Sequence, residues 1–133
     1  GAPLRLIGWS LGGYLAREAA RERPELVERV ITLGAPVVGG PSYTASAPLY
    51  LRKGYDLGEI GAAVLERELR PITVPVFAVF SRADGVVAWR ACIDTFANPR
   101  VEHHELHSSH LGLVGSPRAF ALVAELLARK PSP

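Results

Sequence analysis

Apolar residues along this chain recur with two different periods, and the switches between them outline alternating strands and helices. Pro3 to Trp9, with Leu4, Leu6 and Ile7, forms a short apolar run ending in a glycine-bounded turn, the pattern of a strand. From Leu11 the spacing changes. Tyr14, Leu15, Ala19 and Ala20 recur at helical intervals among Arg17, Glu18, Arg21 and Glu22, and the pattern stops near Pro24. A second apolar run spans Leu26 to Leu33 and breaks at Gly34-Ala35-Pro36 and Gly39-Gly40-Pro41. Strand, helix and strand in this order predict a parallel pair joined by a crossover.

Residues 41–71 differ in character: Pro, Ser, Thr, Tyr and Gly are frequent up to Gly54, and a helical stretch follows from Asp56 to about Leu69. This segment is expected to be an insertion within a domain covering residues 1–133. Thr73 to Ser81 is an unbroken apolar strand of the kind buried on both faces of a parallel sheet, with Pro75 near its start. Asp84-Gly85 marks a turn, Trp89 to Phe96 a helix, and Arg100 to Leu106 a last strand of mixed polarity. Ser116-Pro117 opens a terminal helix running to about Arg129. The expected class is α/β: a parallel sheet of about four strands flanked by helices.

The 133 residues suffice for one domain with a real core, and 48% hydrophobic against 21% charged residues is the balance of a globule. The net charge of +2 comes from arginines scattered without a basic stripe, so nucleic acid is not an expected partner. No run approaches the roughly 20 apolar residues of a membrane span, and no integral membrane segment is expected. The single cysteine, Cys92, cannot close an intrachain disulfide; it reads as a buried helix residue, and its solitude fits a reducing, cytoplasmic compartment. Neither a metal-ligand spacing nor a glycine-rich phosphate loop occurs, so no metal or cofactor is expected.

The candidate chemistry lies in Gly8-Trp9-Ser10-Leu11-Gly12, a G-x-S-x-G motif set between a predicted strand and a predicted helix. A sharp turn there strains the central residue and leaves no room for side chains at the flanking positions, which accounts for the glycines. Ser10 is then held at the carboxyl end of the sheet as a nucleophile, with the amide of Leu11 and the positive end of the following helix aimed at a developing oxyanion. Trp9 and Leu11 suit the entrance for substrate and suit packing in the core equally well.

A serine hydroxyl needs a base and a carboxylate to become reactive. Asp84 follows the buried strand directly and so falls on the same sheet edge as Ser10, where ligands collect in open α/β sheets. Four histidines compete for the base. His103 and His104 lie inside the last strand, where successive side chains face opposite ways, and read as structural. His110, in the loop Ser108-Ser109-His110-Leu111-Gly112, can reach Ser10 with one ring nitrogen and Asp84 with the other; His107, at the strand's exit, is the second candidate. Tyr43, Leu49, Tyr50, Leu51 and Tyr55 give the insertion an apolar character that fits either a lid over an acyl pocket or a surface excursion with its own small cluster.

Four segments together resemble the bacterial lipase and esterase branch of the α/β-hydrolase superfamily. They are Gly8-Trp9-Ser10-Leu11-Gly12-Gly13, Ile31-Thr32-Leu33-Gly34-Ala35-Pro36, Ser81-Arg82-Ala83-Asp84-Gly85-Val86-Val87 and Ser109-His110-Leu111-Gly112-Leu113. The resemblance implies the C-terminal half of that fold with a helical, lid-like insertion. It gives Ser10, Asp84 and His110 the nucleophile, acid and base roles, in the chain order of that superfamily. It also implies hydrolysis of a small ester or lipid through an acyl-serine; an acyltransferase or thioesterase with the same triad, or an idle fragment, are the rivals. In the family further strands and a second oxyanion-hole amide precede this turn, which implies that an N-terminal segment accompanies the chain or that copies associate through the Leu4 to Trp9 edge.

Overall fold

In a computed structural model, which describes residues 1–130, four parallel strands stand in sheet order β1-β2-β3-β4. They are β1 (Leu4–Trp9), β2 (Val27–Leu33), β3 (Val76–Phe80) and β4 (Val101–Glu105), with helices α1 (Leu11–Glu22), α2 (Ala47–Arg52), α3 (Leu57–Glu68), α4 (Gly112–Gly115) and α5 (Pro117–Ala128) between and after them. Parallel pairing holds from Arg5 opposite Arg29 through Trp9 opposite Leu33, from Val30 opposite Val76, and from Val76 opposite Val101. All four strands therefore end on one edge, at Trp9, Leu33, Phe80 and Glu105.

The period of two divides the apolar residues of the central strands between two cores. On one face Ile31, Leu33, Phe77 and Val79 pack with Leu106, Leu113, Ala119 and Leu126 of the chain leading into and forming α5. On the other, Val30 and Val76 pack with Ala20 of α1 and with Ile72 and Val74. Every residue of β3 is buried, as its continuous apolar sequence requires, whereas β4 is mostly exposed. β1 is the opposite edge, and Leu4 and Ile7 on it are half exposed.

Capping explains the helix boundaries in the later part of the chain. Asp56 accepts hydrogen bonds from Gly58 and Glu59 N–H to start α3, and Ser116 accepts from Ala119 N–H to start α5 with Pro117 in its first turn. The expected helix over Trp89 to Phe96 is corrected: a 3-10 turn covers only Trp89–Cys92. The β-branched Ile93 and Thr95 and the Asn98-Pro99 pair disfavour its continuation. Around residues 41–71 two elements accompany the expected helix, a 3-10 turn at Gly40–Tyr43 and α2. The start of this segment is tied to the loop after β3, because Ala45 N–H donates to Val86 O at 2.8 Å and Ala88 N–H to Tyr43 O at 2.9 Å.

Candidate active site

Ser10 sits between β1 and α1 with φ 54° and ψ −127°, the sole non-glycine residue at positive φ among those described. That conformation costs about 1–3 kcal/mol and persists only where the surroundings impose it. They do so here. Ser10 N–H donates to Leu33 O at 2.9 Å, holding the turn against β2, and Gly13 N–H donates to Ser10 O at 3.0 Å as the helix begins. A serine at a helix N-cap ordinarily spends its hydroxyl on the N–H groups of the first turn. Ser10 makes no such bond, so its hydroxyl is left for other partners. The N–H groups of Leu11 and Gly12, in the first turn, have no intrahelical acceptor and carry the positive end of the α1 dipole.

The glycines of the turn are not equivalent. A Cβ on Gly8 would fall 2.4 Å from Gly12 O, and one on Gly13 2.7 Å from the Ala35 Cβ, so both positions are closed to side chains. A Cβ on Gly12 would meet nothing within 4 Å. The expectation that both flanking positions of the motif exclude side chains is thus corrected: Gly8 and Gly13 carry that requirement, and Gly12 does not. Sequence offered a hint of this in the doubled Gly12-Gly13.

The loop after β3 and the loop after β4 meet over the same edge. His110 Nδ1 lies 2.7 Å from Asp84 Oδ2, and His110 N–H donates to Asp84 O at 2.9 Å. Asp84 Oδ1 accepts from Val86 N–H at 2.9 Å and Val87 N–H at 2.7 Å, which fixes the carboxylate as an acceptor. Nδ1 of His110 is therefore the nitrogen that donates to Asp84, and in a neutral imidazole so oriented the lone pair falls on Nε2. Both side chains are buried, Asp84 at 5% and His110 at 6% exposure, so the pair is shielded from solvent. His107 is exposed. His103 lies in β4 with Nε2 3.1 Å from Asp94 Oδ2, and His104 faces Phe77 with ring centroids 6.0 Å apart.

Two further residues of this arrangement lie in segments that the sequence singles out, without a role of their own there. Gly34, at the end of β2 with φ +56°, passes so close to the pair that a Cβ there would stand 3.1 Å from His110 Nδ1. Its sequence marks are the Gly34-Ala35-Pro36 turn and its place in the segment Ile31 to Pro36. Ser81, fully buried, donates to Ser108 O at 2.6 Å and accepts from Ser108 N–H at 3.0 Å, fastening the histidine loop to the acid loop. No local pattern distinguishes such a serine.

Beside Ser10 opens a cavity of about 370 Å³ between α1, residues 40–64 and the loop after β3. Leu11, Pro36, Ile60, Val64, Val86 and Val87 make its walls apolar, and Tyr14 also lines it. Burial is the main cause that pushes the Tyr14 phenol above its ordinary value, with the charge of Glu18 adding to it. Trp9 does not line this cavity. Cys92 is buried, and desolvation, aided by the Asp84 charge, pushes its thiol up to about 12. It is therefore protonated and unreactive at neutral pH.

The chain carries part of the α/β-hydrolase fold. Solved structures with that architecture superpose on nearly all of it: mouse alpha/beta hydrolase domain-containing protein 10 matches 95% of this chain and 61% of its own, with TM-score 0.64 and 21% identity. A Pyrococcus furiosus esterase matches 98% and 55%, with TM-score 0.64 and 21% identity. A Paleococcus ferrophilus monoacylglycerol lipase matches 96% and 67%, with TM-score 0.64 and 14% identity. The chain thus spans 61% and 55% of the lengths of the first two of these. No protein-family model matches the sequence, and no curated protein does. Among the described residues no helix is long and apolar enough to cross a membrane, and no group of three or more His, Cys, Asp or Glu could hold a metal ion.

Proposed function

We propose that this chain carries the Ser-His-Asp machinery of a serine hydrolase that cleaves carboxylic esters, with Ser10 as nucleophile, His110 as base and Asp84 as its orienting acid. The observation that carries the proposal is the backbone of Ser10, strained at φ 54° with a hydroxyl not used to cap its own helix. Strain maintained at a polar residue beside free helix amides is the arrangement that acyl transfer needs.

In the proposed reaction His110 Nε2 takes the Ser10 proton as Oγ attacks the ester carbonyl, and the oxygen that becomes negative is received by the Leu11 N–H. The tetrahedral intermediate expels the alcohol, which leaves with the proton held by His110, and an acyl-serine remains. Water then attacks that ester with the same proton shuttle, releasing the acid and restoring Ser10. Asp84 accepts from Nδ1–H throughout, keeping the imidazole in the tautomer that exposes Nε2 and stabilising its charged form. Residues 41–71 act in this proposal as a lid whose helix α3 contributes Ile60 and Val64 to an acyl-binding cavity. At roughly 30 Å³ for each water-sized unit, that cavity has room for about a dozen units, enough for an aliphatic acyl chain.

A fluorophosphonate probe tests the proposal. Covalent labelling of the protein, located on Ser10 and lost in Ser10→Ala, is the expected result. An unlabelled Ser10 in the folded protein, with no turnover of butyrate or laurate esters, would overturn it.

A further inference from the structure

The indole of Trp9 bridges the two ends of the sheet. Trp9 closes β1, whereas His110 follows β4, three strands away, a separation of about 14 Å in sheet spacing. Yet Trp9 Nε1–H donates to His110 O at 3.0 Å, and the indole and imidazole rings lie 4.9 Å apart at 35°. Among the described residues, the other two hydrogen bonds on His110 come from Asp84: the Nδ1 contact at 2.7 Å and the backbone bond at 2.9 Å. Among the described residues, no other hydrogen bond ties the histidine loop to the turn bearing Ser10. Asp84 therefore fixes His110 relative to β3, and Trp9 fixes it relative to Ser10.

We infer that Trp9 is a positioning residue for His110, locking the histidine loop over the serine turn and presenting an aromatic face to the imidazole, and is not a substrate contact. This inference rests on the proposed roles of Ser10 and His110. Two physical effects combine. The Nε1–H bond removes freedom of the loop backbone, so the base waits in register with the nucleophile one residue from the anchor. The electron-rich indole face attracts an imidazolium more than an imidazole, so the contact strengthens when His110 carries the serine proton. Asp84 is the charged group facing the imidazole from the acid loop, and Trp9 is the aromatic group facing it from β1. An interaction that strengthens only as charge develops raises kcat and leaves KM nearly unchanged.

Three variants of the protein separate the possibilities. Trp9→Phe keeps an aromatic face and loses the N–H donor, whereas Trp9→Leu loses both. For Trp9→Leu the expected result is a fall of about tenfold to a hundredfold in kcat and in the rate of fluorophosphonate labelling, with KM within about twofold of the parent. Trp9→Phe should lie between the two, and if Trp9→Leu does not fold, the loss in Trp9→Phe alone carries the test. Amide hydrogen exchange of residues 107–112 should quicken in the same order. Unchanged kcat and labelling, or a raised KM at unchanged kcat, would overturn the inference; the second outcome would return Trp9 to the substrate. If neither the parent nor any variant is labelled while exchange still quickens, the serine-hydrolase proposal fails and with it the catalytic part of the inference. Ser10→Ala, compared by exchange alone, should leave residues 107–112 as protected as in the parent.

Discussion

Gly34 and Asp84 approach each other so closely that a Cβ on Gly34 would stand 2.9 Å from Asp84 Oδ2, the oxygen that faces His110. The end of β2 thus leaves just enough room for the Asp84 and His110 side chains from the loops after β3 and β4. Gly34 also has φ +56°, a conformation that side chains disfavour. Gly34→Ala should cost about 1–3 kcal/mol of stability and displace the Asp84 carboxylate. Ester turnover and Ser10 labelling should fall together with the melting temperature, and a variant that melts lower yet labels at the parental rate would contradict this placement.

Asp84→Asn should leave the fold in place while losing the carboxylate that selects the Nδ1–H tautomer, and kcat should drop by about 10⁴-fold. His110→Ala should be at least as damaging. His107→Ala, at an exposed position away from Asp84, should be indistinguishable from the parent. Steady-state turnover of a soluble ester distinguishes the three.

Gly13→Ala must push a methyl group against Ala35 and the Gly8 carbonyl, at 2.7 and 2.8 Å, and should destabilise by about 1–3 kcal/mol. Gly12→Ala places its methyl in open space at the start of α1, where alanine is the better helix former, so thermal stability should hold or rise by up to about 1 kcal/mol. Thermal melts of the two variants read opposite signs if the packing is as described.

Ile60→Trp fills the cavity beside Ser10 from the α3 side. Turnover of laurate esters should fall by about tenfold or more relative to butyrate esters, the scale on which apolar pockets discriminate. Equal losses on both esters would mean that the cavity does not hold the acyl chain.

Glu68 carries a partly buried carboxyl whose Oε2 has no hydrogen-bond partner. Burial, reinforced by the negative charge of Asp94, raises its pKa above the usual carboxylate value. A raised folded-state value means that the folded protein binds this proton more tightly than the unfolded chain. The group therefore favours folding at acid pH and opposes it progressively as pH rises through its unfolded and then its folded value. Glu68→Gln should melt higher than the parent at pH 8, and this advantage should disappear near pH 4. A melting difference independent of pH would refute the assignment.

Much of the architecture was legible along the chain. Continuous apolar residues in Val76 to Phe80 require burial on both faces, and helical spacing after Leu11 requires a helix packed on one side, so alternating periods alone dictated a parallel α/β sheet. The G-x-S-x-G turn announced Ser10 because a strand and a helix cannot be joined in so few residues without small neighbours. What local pattern could not decide was which glycine those neighbours must be, since that depends on Ala35 and Gly8 across the turn. The pairing of Asp84 with His110 and the exposure of His107 likewise followed from how two loops, 26 residues apart in sequence, fold over one sheet edge. Trp9 is the sharpest case. Its sequence position placed it beside Ser10 and left its side chain free to face substrate or core, and only the crossing of the histidine loop from β4 back to β1 brought the indole onto His110. Periodicity reports which face of an element is buried; it carries no information on which distant loop that face will meet.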